Sequence, residues 1–133
     1  MSKYGMLLKA IADEKRLRLI SLLLREKGEF YVCEIADALE ESQYNVSKYL
    51  KELKMANLVK ERRIGKGVLY STIEPEEDFS RLIFNAILSI PDDYTKRERQ
   101  LLRLRTTMRE GDRCVVRIQN EHWKEAIEKS KVD

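Results

Sequence analysis

The stretch Val32-Cys33-Glu34-Ile35-Ala36-Asp37-Ala38-Leu39-Glu40-Glu41-Ser42-Gln43-Tyr44-Asn45-Val46-Ser47-Lys48-Tyr49-Leu50-Lys51-Glu52-Leu53-Lys54-Met55 decides the fold. Its first part sets Val32, Ile35, Ala36 and Leu39 at the i, i+3, i+4, i+7 spacing of a helix half-buried against a core. Glu40 and Glu41 break the pattern. Ser42 is an N-cap candidate for a second helix, because its hydroxyl can accept from the backbone N–H groups that open the next turn. The buried stripe of that helix is Val46, Tyr49, Leu50 and Leu53, so two short helices meet through a tight polar turn. The opposite face carries Tyr44, Lys48 and Lys51, flanked by Gln43, Asn45 and Ser47. Amide, hydroxyl and cationic groups in the first turns of such a helix are the chemistry that reads base edges and holds phosphates in a major groove.

The next segment strengthens this reading. Val59-Lys60-Glu61-Arg62-Arg63 and Val68-Leu69-Tyr70-Ser71-Thr72-Ile73 are rich in β-branched and aromatic residues, and Ile64-Gly65-Lys66-Gly67 between them supplies hairpin glycines. Such a hairpin would expose Arg62, Arg63 and Lys66 beside the second helix, as the wing of a winged helix does. Charge placement agrees. The chain carries a net charge of only +3, but residues 42–73 hold seven basic and two acidic side chains, while the flanks 1–41 and 74–133 each come to −1. Positive charge concentrated on one helix and one hairpin is the footprint of a phosphate-binding surface. The expected partner is double-stranded DNA, with Ser42, Gln43, Tyr44, Asn45, Ser47, Lys48, Lys51, Arg62, Arg63 and Lys66 as its contacts.

Composition bounds the alternatives. A chain of 133 residues with 43% hydrophobic residues, two prolines and five glycines is neither disordered nor fibrous. The apolar run around Leu22-Leu23-Leu24 is hemmed by Arg16, Arg18 and Arg25, so no membrane span and no secretory signal are read. Two cysteines without an export signal suit a reducing cytoplasm, where thiols serve more often as sensors or ligands than as structural bridges. An enzyme is not expected. The chain has one histidine, His122, and lacks a nucleophile elbow, a phosphate-cradling glycine loop or a histidine pair for a catalytic metal.

The fold class expected is mainly α with a small β-hairpin wing, a dimeric winged helix-turn-helix. Lys3 to Ala12 forms a first helix with Tyr4, Leu7, Leu8 and Ile11 inward. Asp13 caps a buried helix from Glu14 to Arg25 that Gly28 ends. After the wing, Glu74-Pro75-Glu76-Glu77-Asp78 opens a helix with Pro75 near its first turn and Phe79, Leu82, Ile83, Ala86, Ile87 and Ile90 as its apolar set. Pro91 stops it. Thr95 to Glu110 forms a further helix whose basic run Lys96, Arg97, Arg99, Arg103, Arg105 and Arg109 reads as a solvated face, and Cys114-Val115-Val116 as a short extended piece. Residues 1–90 are thus expected to form the DNA-binding and dimerisation domain, and 91–133 a C-terminal extension carrying Cys114.

From about Leu7 to Ile73 the chain resembles the ArsR/SmtB family of winged-helix repressors. The resemblance rests on residues 8–20, on Tyr31-Val32-Cys33-Glu34-Ile35-Ala36, on Ser42 to Leu50, and on Gly65-Lys66-Gly67 followed by Tyr70. It implies a homodimer packed through its first and last helices, binding operator DNA and leaving it when an inducer binds, often a metal or metalloid. Tyr4, Leu7 and Ile11 with Phe79, Leu82, Ile83, Ala86 and Ile87 would supply the dimer surfaces. Arsenic, cadmium and lead sensors of the family carry a cysteine-x-cysteine pair where this chain has Tyr31 and Cys33. The segment from Leu104 to Val116 resembles an extension of arsenic-responsive members with the same Tyr-Val-Cys form.

Cys33 lies about 110° from the centre of its helix stripe, at the flank of the core, and the first turn of a helix favours the reactive thiolate. Soft trivalent arsenic prefers sulfur. Cys33 and Cys114 are therefore the expected metal-site ligands, within or between subunits, with a third from Tyr31, His122 or solvent. Trivalent arsenic or another thiophilic ion is the expected inducer, and no resident cofactor is required. The Phe79 to Ile90 helix has no histidine, which excludes a zinc or nickel site there. The alternatives are a redox-sensing or effector-independent regulator, a buried structural Cys33, and a winged helix used only to bind protein.

Overall fold

The computed structural model describes residues 1–110, 120–130 and 132. Helix α1 (Lys3–Ile11) is capped by the Ser2 hydroxyl, which accepts from the Gly5 amide at 3.1 Å. Helix α2 (Glu14–Glu26) begins at Asp13, whose carboxylate accepts from the Arg16 amide at 3.1 Å. It is the central helix expected, with Leu19, Ile20, Leu22 and Leu23 buried in the core. Its end differs in detail from the expectation: Lys27, at φ 47°, takes the left-handed cap conformation, and Gly28 follows it. On α1 only Leu7 and Ala10 are buried, whereas Tyr4 and Leu8 are 42% and 46% exposed.

The helix-turn-helix consists of α3 (Val32–Leu39) and α4 (Gln43–Met55). Glu40, at φ 56°, turns the chain between them, and the Ser42 hydroxyl accepts from the Asn45 amide at 3.1 Å as the cap of α4. Val46, Leu50 and Leu53 are fully buried, as their spacing predicts, and Tyr49 is half-buried. Strands β2 (Val59–Ile64) and β3 (Gly67–Thr72) form the wing, in register from Val59 opposite Thr72 to Ile64 opposite Gly67. Gly65, at φ 58°, occupies the tip, where a side chain on the backbone would be strained. A third strand, β1 (Phe30–Tyr31), not expected from the sequence, pairs with β3 and gives the order β1-β3-β2. Two residues are too few to display an alternation.

Helix α5 (Asp78–Leu88) has Glu77 at its cap position and begins three residues after Pro75, which the sequence suggested for its first turn. Pro75 lies in the connection, and Arg81 donates to its carbonyl at 3.3 Å. Phe84 and Ile87 are the buried residues of α5, and Leu82 is 66% exposed. A 3-10 turn over Asp92–Thr95 then leads into α6 (Lys96–Thr106), shorter than the helix expected to reach Glu110. Leu101 and Leu102 of α6 are fully buried in the main core. Among the described residues the most extensive helix–helix packing joins α6 to α3. With that contact α3 is covered on more than one side, and Glu34 and Ala38 are buried as well as Ile35 and Ala36, while Cys33 is buried against Tyr31 and Leu69. Helix α7 (Asn120–Ser130) contacts α6, with Trp123 and Ile127 partly buried against the core and His122 exposed. Cys114-Val115-Val116, expected as an extended piece, lies outside the described residues.

Candidate nucleic-acid interface

The exposed face of α4 is the one the helical spacing selects. Ser42, Gln43, Ser47, Lys48 and Lys51 are exposed, and Tyr44 stands 73% exposed with the Lys48 ammonium 5.4 Å from its ring centre. Asn45 is only half-buried and is held from behind: its Nδ2 donates to Glu41 Oε1 at 3.3 Å. Glu41 also accepts from Lys15 Nζ at 2.8 Å. These two bonds, Lys15 first, hold the Glu41 carboxyl below its usual range. The turn between the two helices is thereby tied to α2 and to α4.

The wing divides its basic residues between two faces. Successive side chains of a strand point to opposite sides. Glu61 of β2 accepts from Lys54 of α4 at 2.8 Å, and that bond is the foremost reason its carboxyl titrates below the usual range. Arg63 therefore shares the pleat that faces α4. Arg62 lies on the other side, where its Nε and Nη2 donate to the two oxygens of Glu29 at 2.8 and 2.9 Å. Arg62, Arg63 and Lys66 are all exposed. Exposed cations thus stand on α4 and on the wing that Lys54 ties to it, a placement suited to phosphate contacts.

The basic run of α6 departs from the solvated face expected of it. Arg105 is 1% exposed and its Nε donates to Asp37 of α3 at 2.7 Å. Arg109 forks onto Glu34, with Nε to Oε2 at 2.6 Å and Nη2 to Oε1 at 2.7 Å, and also donates to the Glu29 carbonyl at 2.7 Å. Arg97 pairs with Glu40 at 2.7 Å, and Arg99 and Arg103 both reach Glu26, at 2.9 and 2.7 Å. A buried carboxylate persists only where a cation and hydrogen bonds meet it, and Glu34, fully buried, has both: Arg109 and the Tyr31 amide at 3.0 Å. The signal for Glu34 was its place three residues after the helix cap, the position of a capping-box glutamate. Tyrosine rather than serine at the cap hid it.

Cys33 is 5% exposed and belongs to a small apolar cluster with Tyr31 and Leu69, flanked by Ile64. Its sulfur is bonded in a disulfide. Cys114, the other expected thiolate ligand, lies outside the described residues. Among the described residues no group of three or more histidine, cysteine or acidic side chains gathers to hold a metal ion. Nor does any helix among them have the length and apolarity to cross a membrane.

These elements define a winged helix-turn-helix of the bacterial regulator type. Residues 13–61 match the family model described as bacterial regulatory protein, arsR family. The chain is 43% identical over 68 residues to the arsenic resistance transcriptional regulator ArsR1 of Pseudomonas putida, covering 51% of this chain and 52% of that one. It is 44% identical over 64 residues to the arsenical resistance operon repressor of Escherichia coli, covering 48% and 54% of the two chains. It thus spans about half the length of these two curated relatives. The solved structure of reduced HlyU from Vibrio cholerae superposes with a TM-score of 0.56 at 31% identity, covering 67% of this chain and 90% of that one. The chain belongs to the ArsR family. The relatives are named as regulators and repressors rather than as enzymes.

Proposed function

We propose that this protein is a cytoplasmic transcriptional repressor that holds operator DNA as a homodimer and releases it when a thiophilic inducer, foremost trivalent arsenic, engages Cys33 and Cys114. The observation that carries the DNA reading is the exposed face of α4, with Gln43, Tyr44, Ser47, Lys48 and Lys51 directed outward beside a wing bearing Arg63 and Lys66. In this reading residues 1–90 bind DNA and dimerise, residues 91–133 form the effector-bearing extension, and no resident cofactor takes part. The arsenic reading is supported by the names of the Pseudomonas and Escherichia relatives and by the position of Cys33 in the first turn of α3. A thiolate-bound ion there would act in the first turn of α3, the helix that α4 packs on, and it shifts the DNA equilibrium only if its site forms better in the low-affinity state.

A second reading has its own support. Disulfide bonding at Cys33 and the likeness to a regulator whose structure is described as reduced favour a redox switch. The two readings part in one titration of the complex between the reduced chain and the DNA upstream of its own reading frame. An arsenic switch releases the duplex on adding arsenite, without an oxidant. A redox switch releases it with peroxide and rebinds it after dithiol, indifferent to arsenic. Failure of the reduced chain to prefer that duplex over unrelated DNA would remove the repressor reading itself.

A further inference from the structure

Arg109 of the C-terminal extension and Gly67 of the wing both approach one aromatic ring, that of Tyr31. The residue is 6% exposed at the junction of β1 and α3. The Arg109 guanidinium carbon stands 5.4 Å from the centre of its ring. The wing approaches the ring as well: a Cβ built on Gly67 would fall 2.7 Å from Tyr31 Cε1, closer than any side-chain carbon tolerates. Gly67 has no positive φ, so its lack of a side chain serves this close approach rather than a turn. The backbone joins the same parts. Tyr31 lies opposite Leu69 in the β1–β3 ladder, and its amide donates to Glu34, the carboxylate that Arg109 grips.

We infer that Tyr31 is a positioning residue that transmits the placement of Arg109 in the C-terminal extension to the Gly67 end of the wing. The ring is backed by a cation from the extension and has a glycine of the wing against its edge, so a change at one contact is felt at the other through rigid, packed atoms. When Arg109 withdraws, the ring loses its backing and the hairpin loses a packing partner next to its tip. The coupling is reciprocal: a wing fixed on DNA holds the ring, and with it Arg109, in place. The inference rests on the proposed DNA reading only where it gives the wing a phosphate-contacting task.

The test is amide hydrogen exchange of the wing, residues 63–68, in the free full-length chain, which needs no DNA. Arg109→Met is combined with Glu34→Gln, so that no carboxylate is left buried without its cation and the glutamine oxygen still caps the Tyr31 amide. This pair is expected to raise wing exchange about tenfold. In a Tyr31→Leu background, where the ring is gone, the same pair should add less than about twofold. Tyr31→Phe should exchange like the parent, since the ring and not the hydroxyl is the transmitter. Gly67→Ala should reproduce the faster exchange by forcing the ring aside. Should the paired change prevent folding, Arg109→Lys, which keeps the charge but loses the forked guanidinium that holds it beside the ring, is expected to give about half the logarithmic effect. Wing exchange unmoved by both Arg109 changes, or moved equally with and without the Tyr31 ring, overturns the inference. Duplex binding by the same variants separates the two levels. If exchange changes as expected and DNA is not bound at all, the coupling stands and the repressor reading falls.

Discussion

Arg62 faces a choice between two anions. In the free chain its guanidinium forks onto Glu29, and that bond is the foremost reason the Glu29 carboxyl titrates below its ordinary range. A phosphate arriving at the wing must displace this carboxylate or do without Arg62. Glu29→Gln is therefore expected to tighten binding to duplexes of every sequence about three- to tenfold and to steepen the salt dependence by up to one phosphate contact, read by anisotropy between about 50 and 200 mM salt. Truncating Lys48 or exchanging Gln43 should instead cost about 1–3 kcal/mol on the operator and little on unrelated DNA. A second residue, Glu26, contributes to acid stability. Its side chain is 7% exposed. Burial raises its pKa, but the bonds from Arg103 and Arg99 outweigh burial and bring it below 4.5. A folded-state pKa below the unfolded one gives stability that is present above the unfolded value and lost as pH falls through the folded value. Glu26→Gln should thus flatten the loss of stability below about pH 4.5 while lowering stability at neutral pH, measured by thermal melts across pH.

The element that distinguishes this molecule from a bare winged helix is α6, keyed to α3 by two fully buried leucines and by Arg105 on Asp37. Leu101→Ala, which leaves a cavity between α6 and the core, should cost about 2–5 kcal/mol in denaturant unfolding, as for any buried leucine with little room to collapse. Arg109→Met alone should cost about 3–5 kcal/mol, because it strands the fully buried Glu34 carboxylate, and adding Glu34→Gln should return most of it. The elements with strong local signals were legible in the sequence: α2 and α4 from their caps and apolar stripes, the wing from its glycines. The boundaries that failed depended on tertiary choices. Pro75 is suited to a first helical turn, yet α5 waits for Glu77 and the proline serves the connection. Arg105 and Arg109 read as solvated because a sequence shows charge without its partner, and their partners Asp37 and Glu34 lie 68 and 75 residues away. The exposed residues of α4 were legible because periodicity alone separates them from Val46, Leu50 and Leu53, whereas the division of Arg62 from Arg63 required the strand register and the position of Glu29.

At the scale of the whole molecule, the question is what covers the outer side of α1 and α5. Within the protomer these helices already touch: the Tyr4 and Phe79 rings meet edge to face at 5.1 Å, and Tyr4 Oη donates to Glu77 at 3.1 Å. Three leucines nonetheless remain outward on them, Leu8 46%, Leu82 66% and Leu88 40% exposed. Exposed leucines on two neighbouring helices are what the proposed homodimer would cover. A two-fold homodimer through this face would present two α4 helices about 34 Å apart, one turn of B-DNA. Leu82→Glu tests it cleanly because so exposed a residue contributes little to the protomer, and a surface change of this kind moves folding stability by only about 0.5 kcal/mol. The variant is expected to sediment as a monomer at micromolar concentration and to lose affinity for a two-half-site duplex, while its weak binding to a single half-site stays as in the parent. A monomeric parent chain that binds the full operator would rule out the dimer. A Leu82→Glu variant that remains dimeric would place the interface elsewhere on the surface.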